Sequence, residues 1–246
     1  MLPNRIGTGL LVVMALAAPA TQAEEWKHEL APYVWGAAME GRTGIGSLTA
    51  DLDLSFGDIL EDLEMGFMGV YRASKGRYSI IVDTIYMGLG ANGTGPNGLV
   101  KADVDIDQGA VEVDLGYALS DQFTLLVGVR YNDLSTQIRT VGPLGNVLLA
   151  AKKDESWIDP VIGAQLTIPF SESWSMTLRG DVGGLGVGSF FAWQGVASLR
   201  WQATPRFGVV AAYRHIDMDY TSDDGPGAFV YDIALSGPAL GMVFTF

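Results

Sequence analysis

The segment 213–220 groups the side chains of this chain that are best suited to acid–base chemistry. It reads Tyr-Arg-His-Ile-Asp-Met-Asp-Tyr, so His215 is followed at two-residue intervals by Asp217 and Asp219. A histidine beside carboxylates can act as a general base that activates a serine or a water molecule. The chain has only two histidines, and His28 lies far away near the amino terminus. The pattern is compatible with a hydrolytic site, but it singles out no serine as the nucleophile.

Two sets of acidic residues could offer oxygen ligands to a cation such as Ca²⁺. Neither set has the spacing of a calcium loop that closes on a bidentate glutamate, so we expect solvated loop acids, no metal and no cofactor. The whole chain has 28 Asp and Glu against 15 Lys and Arg. This balance argues against nucleic-acid binding, because contacts to phosphates require Lys and Arg. The two sets are Asp51, Asp53 and Asp58, and Asp217, Asp219, Asp223 and Asp224.

The two ends of the chain predict its destination. Residues 1–23 have the form of a signal peptide, with Arg5, an apolar run and Thr-Gln-Ala before Glu24. The last seven residues alternate, with the apolar side chains on one face of a strand. A carboxyl-terminal Phe that closes such a strand resembles the assembly signal of bacterial outer-membrane β-barrels. We therefore expect cleavage after residue 23, with Ala18-Pro19-Ala20 as the alternative site, and location in the cell outer membrane. The expected assembly signal is formed by Leu240, Met242, Phe244 and Phe246.

The remaining segments alternate between apolar and polar residues, as strands with two different faces do. Tight turns at 74–77, 120–122, 171–173 and 204–206 alternate with longer connections rich in Gly, Asn and Asp. Short turns on one side and long loops on the other are typical of bacterial membrane barrels. The predicted fold is all-β: a transmembrane antiparallel up-and-down β-barrel.

An even number of strands is expected, because both ends of such a barrel normally lie in the periplasm. Nine strands follow Met65, and a first strand over His28–Met39 makes ten. Twelve is the alternative, if Lys101–Leu119 or the region 147–168 is split. A phase slip between Ile106 and Val111 predicts a β-bulge near Gly109. Residues 24–246 form one barrel domain, in which 41–63 is a long first loop carrying a short helix.

Aromatic residues at matching depths support the membrane interpretation. Three pairs are spaced eight residues apart, and such residues share a face of a strand. Eight residues span about 26 Å along a strand, and a tilt of about 40° reduces this to roughly 20 Å of membrane height. The pairs are Tyr78 and Tyr86, Phe123 and Tyr131, and Trp193 and Trp201.

If the aromatic face meets lipid, the opposite face of each strand lines the lumen. Charges placed outward at mid-bilayer would cost roughly 2–4 kcal/mol each for Arg, whereas inside the lumen Arg and carboxylates can pair. The equal mixture of signs favours a cross-linked interior over a selective pore, which would carry one sign. The predicted lumen charge network consists of Arg72, Asp83, Glu112, Asp114, Arg130, Asp159, Arg179, Asp181, Arg200 and Arg214. The same alternation places His215 on the lipid side with Tyr213.

Several motifs resemble a group of uncharacterised proteobacterial outer-membrane β-barrel proteins. They are Asp159-Pro160-Val-Ile-Gly163, the segment from Arg179 to Ser189 followed by Trp193-Gln194, Tyr213-Arg214 with Asp219-Tyr220, and the final Gly-Pro-x-x-Gly before the terminal Phe. The resemblance implies the location and the fold, and it brings no activity with it.

The sequence favours a non-enzymatic, porin-like barrel with a closed, charge-paired lumen, acidic extracellular loops and a structural or interaction role. A narrow passive channel for small solutes is the alternative, and a lipid-modifying enzyme that uses His215 is the third hypothesis. The expected partners are outer-membrane lipid, lipopolysaccharide and the barrel-assembly machinery.

Overall fold

A computed structural model describes residues 25–46, 48–94, 101–222 and 227–246. The predicted signal peptide lies outside these residues. The described residues form twelve strands and one helix: β1 (Lys27–Trp35), β2 (Ala38–Ile45), β3 (Leu48–Leu54), α1 (Phe56–Asp62), β4 (Leu63–Lys75), β5 (Tyr78–Thr94), β6 (Lys101–Ala118), β7 (Phe123–Val141), β8 (Val147–Pro169), β9 (Trp174–Gly183), β10 (Phe191–Thr204), β11 (Phe207–Thr221) and β12 (Phe229–Thr245).

Ten of these strands close into a barrel, as the parity of the sequence predicts. Strands β4 to β12 pair in chain order, and β1 pairs with both β4 and β12, all antiparallel. Neither β6 nor β8 is split, so the alternative of twelve barrel strands does not apply. Closure gives each of the ten barrel strands a neighbour on both sides, which is the condition for a sheet to cross a bilayer. The predicted transmembrane antiparallel barrel is confirmed.

The first strand is shorter than predicted. It ends at Trp35, and Gly36 and Ala37 interrupt the pairing before β2 begins. Strand β2 continues along the outer part of β12, and β3 pairs with β2 to form a hairpin above the barrel wall. Thus 41–63 contains the end of β2, the strand β3 and the helix α1.

Helix α1 begins with a complete capping box. The Ser55 hydroxyl accepts a hydrogen bond from the Asp58 amide, and the Asp58 carboxylate accepts one from the Ser55 amide. These bonds satisfy backbone groups that a helix start leaves open. The helix buries Ile59 among apolar side chains of the outer lumen. It therefore caps the barrel interior from the long-loop side.

The expected bulge near Gly109 is absent. Strand β6 pairs without a register shift to β5 and β7 along its whole length. Ile106 shares the lumen-facing parity with Glu112, and it packs against the apolar cluster inside the barrel. The sequence suggested a phase slip because the apolar residues change face along the strand. In the outer half Ile106 has the lumen-facing parity while Asp105 and Asp107 are exposed, whereas nearer the short turn Val111 and Val113 are the exposed residues.

The barrel exterior is apolar where it meets lipid. Exposed side chains alternate with buried ones on most strands, and the exposed set includes Tyr78, Tyr131, Trp193 and Trp201. The predicted assembly residues Leu240, Met242, Phe244 and Phe246 also face outward, with 40 to 68 % of each residue exposed. A closed barrel with an apolar outer face is suited to a bilayer, and in Gram-negative bacteria such barrels lie in the outer membrane. Among the described residues, no helix has the length and apolar character needed to span a membrane.

Candidate functional site

The middle of the lumen holds a continuous network of buried charges. Glu112 on β6 accepts hydrogen bonds from two arginines, Arg130 on β7 at 2.6 Å and Arg179 on β9. Arg130 also reaches Asp181 at 2.8 Å, and Arg179 reaches Asp114 at 2.9 Å. The contact between Arg179 and the acids of β6 crosses the lumen, because β9 and β6 are three strands apart.

A second group of contacts extends the network to the other side of the barrel. Arg214 on β11 donates to Asp83 on β5 at 2.8 Å and to Gln194 at 2.8 Å. Gln194 in turn donates to Asp181 at 2.7 Å, and Tyr33 on β1 donates to Asp83 at 2.9 Å. Three arginines and four acids are thereby joined into one array. Such pairing satisfies charges that would be costly to bury alone.

Glycines on the neighbouring strands make room for this array. A β-carbon added at Gly163 would lie 2.6 Å from the β-carbon of Asp181, and one added at Gly128 would overlap Asp114. Contacts this close do not occur between real side chains. The two glycines therefore let the strand backbones approach the buried acids.

Asp159 does not belong to the arginine network, contrary to the sequence prediction. Its carboxylate accepts hydrogen bonds from the Ser189 amide at 2.6 Å, the Ser189 hydroxyl at 2.9 Å, and the side chains of Trp157 and Asn132 at 3.2 Å each. Asp159 is fully buried. It anchors the loop 184–190 to the inner wall, so its role is to hold this loop over the outer end of the lumen.

Above the charges, the outer half of the lumen is filled by apolar and aromatic side chains. Trp157 on β8 stacks on Tyr220 on β11, with ring centroids 4.1 Å apart, and Tyr231 on β12 accepts a hydrogen bond from Gln108 on β6 at 2.8 Å. These contacts cross the lumen between distant strands. We call this set the aromatic layer; it comprises Trp157, Tyr220, Phe229 and Tyr231.

Only a small chamber remains between the charges and the aromatic layer. Its volume is about 50 Å³, and the walls include Asp83, Arg130, Met87 and Ile216. The Nη1 group of Arg130 is buried there without a hydrogen-bond partner. A chamber of this size holds a few water molecules.

Below the charges, toward the short turns, the lumen widens into a larger cavity. We call it the periplasmic vestibule; its volume is about 320 Å³. Arg72 lies here and donates to Gln165 at 2.7 Å. Arg200 pairs with Glu29 at 2.9 Å. Side-chain exposure rises from 12 % at Arg179 to 26 % at Arg200, so the cavity becomes wetter toward the periplasmic end.

Thus nine of the ten predicted lumen residues lie in the network or the vestibule, and Asp159 lies beside them in its own cluster. Sequence reasoning missed Glu29, Tyr33, Gln194 and Ser189 as partners. Tyr33 and Trp35 face the lumen, and Glu29 shares their parity on β1. The lipid face of β1 is formed instead by Leu30 and Val34.

His215 faces outward, on the side predicted from the alternation. Its ring packs against Trp193 in a tilted arrangement with centroids 4.5 Å apart, and its buried Nε2 atom has no hydrogen-bond partner. Ser236 lies opposite His215 in the pairing of β11 with β12. No hydrogen bond joins the two side chains. Within the described residues, no three His, Cys, Asp or Glu side chains form a group that could hold a metal ion.

Comparison with solved structures places the fold among outer-membrane β-barrels. The chain is similar to the outer membrane protease OmpT from Escherichia coli, with a TM-score of 0.54 and 9 % identity over 91 % of this chain and 97 % of that one. It is also similar to Ail, the attachment invasion locus protein of Yersinia pestis, with a TM-score of 0.40 and 12 % identity over 91 % of this chain and 99 % of that one. No protein-family model matches the sequence, and no curated protein matches it either. At 9 % identity the likeness to OmpT shows a shared fold, that of an outer-membrane β-barrel.

Proposed function

We propose that the protein is a non-enzymatic outer-membrane barrel whose lumen is closed to solutes and whose work is done at its extracellular surface. The observation that carries the proposal is the double obstruction of the lumen. The charge network crosses it at mid-height, the aromatic layer crosses it above, and about 50 Å³ remains between them. A conducting pore needs a continuous wet path, and its constriction would carry charges of one sign.

The extracellular surface supports an interaction role. Strands β5 to β8 extend beyond the aromatic girdle, and their outer face carries Asp105, Asp107, Asp133 and Asp154, all exposed. A dense negative surface keeps neighbouring anionic molecules at a distance unless divalent cations bridge them. Lipopolysaccharide bridged by such cations is therefore the proposed neighbour at this surface. Outer-membrane lipid and the barrel-assembly machinery complete the proposed partners.

Two observations bear on enzymatic function. The ring of His215 is held against Trp193, and neither Asp217 nor a serine hydroxyl is hydrogen-bonded to it. A working general base is normally oriented by one such partner. These contacts favour a girdle role for His215, in which the ring packs at the membrane interface.

We also propose that the chain is a member of the proteobacterial barrel group that its sequence motifs resemble.

A passive channel is the second candidate, and the periplasmic vestibule is the observation that favours it. The lower half of the lumen is already wide, so removal of the charge network would leave only the aromatic layer as a barrier. A channel that opens in this way would conduct in rare, discrete events.

Single-channel recording in planar bilayers tests the proposal. We expect no stable conductance from the wild-type protein, and discrete openings from the Arg130→Ala/Arg179→Ala variant, because that variant removes two cations that bridge the lumen. The Arg42→Ala variant is the matched control, since Arg42 pairs with Asp51 on the exposed hairpin. Stable openings of the wild-type protein would overturn the closed-barrel proposal in favour of the channel.

A further inference from the structure

The periplasmic vestibule contains a half-buried arginine, Arg72, that makes no direct ion pair. Glu29 lies opposite Arg72 in the pairing of β1 with β4, but its carboxylate bonds to Arg200 at 2.9 Å. Arg72 donates to the neutral amide oxygen of Gln165 at 2.7 Å. In the described part of the chain, no carboxylate oxygen lies within 4.0 Å of its guanidinium, whereas Arg130, Arg179, Arg200 and Arg214 each have at least one. Arg72 is thus the exception among the lumen arginines.

Partial burial of a charge without a direct ion pair is costly. A guanidinium removed from water loses hydration that one amide oxygen does not replace. The planar donor fork of arginine matches the two oxygens of a carboxylate. An anion that enters the vestibule would therefore gain a strong, directional contact at Arg72.

The second cation of the vestibule strengthens the same preference. Arg200 pairs with a single acid, Glu29, which also contacts Lys27 at 3.6 Å. The vestibule therefore has two arginines and one acid of its own, while the network above it contains three arginines and four acids. The positive excess lies in the wide part of the lumen, where a ligand has room.

The walls of the vestibule indicate what kind of anion fits. Hydroxyl groups of Ser175, Thr177 and Ser198 lie on one side, and Val196, Val210 and Val243 add aliphatic surface. The volume of about 320 Å³ exceeds the need of a single inorganic ion. Ligand sites typically combine an apolar lining with a few polar groups that fix orientation.

We propose that the periplasmic vestibule binds a small organic carboxylate with a short aliphatic chain. The carboxylate contacts Arg72 and Arg200, and the chain lies along the valine wall. The ligand enters from the periplasm, because the network and the aromatic layer close the other route. The binding itself goes beyond the proposed function and does not depend on whether the barrel ever conducts.

Isothermal titration of the folded protein in a neutral detergent tests this site with hexanoate as the probe. We expect saturable binding by wild type, at least tenfold weaker binding by Arg72→Gln, and wild-type binding by the control Arg42→Gln. The uncharged probe 1-hexanol should give no saturable binding, which separates the site from partition into detergent. Absence of saturable hexanoate binding to wild type, or equal binding by Arg72→Gln and Arg42→Gln, would overturn the proposal.

A substitute variant and a second ligand complete the test. If Arg72→Gln does not fold, as judged by its circular dichroism, Arg200→Gln takes its place and is expected to lose at least tenfold in affinity. Inorganic phosphate is titrated in parallel and should bind at least tenfold more weakly than hexanoate. Phosphate binding as strong as that of hexanoate would overturn the assignment to an organic carboxylate.

Discussion

The two halves of the lumen are built on the same ten strands and are filled in opposite ways. The outer half contains large aromatic side chains with the network of ion pairs directly beneath them, and the chamber between the two has a volume of about 50 Å³. The periplasmic half contains valines, small hydroxyl residues and an arginine without a carboxylate, and it retains about 320 Å³. The diameter of a barrel does not by itself decide whether it is open, because the size and pairing of the inward side chains decide it at each height.

The largest effect on the contrast between the two halves is expected when an arginine is removed from the charge network. Arg130→Met leaves Glu112 and Asp181 short of a partner in a buried site, and loss of one partner of a buried pair costs about 3–5 kcal/mol. We expect a decrease of this size in the free energy of unfolding, measured by urea titration in lipid vesicles. The control Arg42→Met removes an exposed pair with Asp51 and should cost at most about 1 kcal/mol. Equal effects of the two substitutions would show that the network does not hold the outer half together.

A smaller decrease in stability is expected at Asp159, whose hydrogen bonds hold the loop 184–190 over the outer half of the lumen. Asp159→Asn keeps the shape of the side chain but turns one acceptor into a donor against the Ser189 amide and hydroxyl. Loss of such buried hydrogen bonds costs about 1–3 kcal/mol. The expected result is a less stable barrel and faster hydrogen exchange at Ser189, while exchange in the vestibule strands β4 and β9 stays unchanged. The matched control is Asp154→Asn, at an exposed carboxylate on the same strand.

The smallest effect is expected at the rim, where the capping box begins α1. Hydrogen bonds from Ser55 hold the pKa of the Asp58 carboxyl below its ordinary value. Because the folded pKa is the lower one, the contribution to helix stability is complete above the ordinary pKa of about 3.9 and is lost as pH falls through the folded value. Hydrogen exchange at Ile59, corrected for intrinsic rates, should therefore show weaker protection at about pH 3 than at pH 6. The Asp58→Asn variant should show no such change. A change of the same size in that variant would show that the pH dependence does not come from the Asp58 carboxylate.

Much of the fold could be predicted from the sequence, because the two-residue alternation and the parity of the turns are local. The parity of the turns predicts the strand count. The alternation predicts that the carboxyl-terminal signal faces outward and that Arg130, Arg179 and Arg214 face inward. The aromatic residues alone do not identify the lipid face, because Tyr33 and Trp35 on β1 face the lumen. Alternation separates two faces, but it does not show which face meets lipid when the lumen is also apolar.

The full pairing inside the site could not be predicted, because several of its contacts join strands that are not neighbours. Arg130 lies directly opposite both Glu112 and Asp159 in the strand pairing, yet it binds Glu112 and the more distant Asp181 and leaves Asp159. Asp159 is instead taken by Ser189, thirty residues away. Such choices depend on side-chain reach across the lumen and on the space that Gly128 and Gly163 leave, and neither is visible in the local pattern.

One-sided cysteine labelling tests most directly the central claim that the lumen is open to the periplasm and closed to the outside. The chain has no cysteine, so Ser198→Cys in the vestibule and Val187→Cys in the extracellular loop 184–190 provide single labelling sites. In vesicles with protein of one orientation, a charged thiol reagent that does not cross the bilayer is added to one face only. We expect Ser198→Cys to react from the periplasmic face alone and Val187→Cys from the extracellular face alone. Rapid reaction of Ser198→Cys with reagent on the extracellular face would show a path through the lumen and contradict the account.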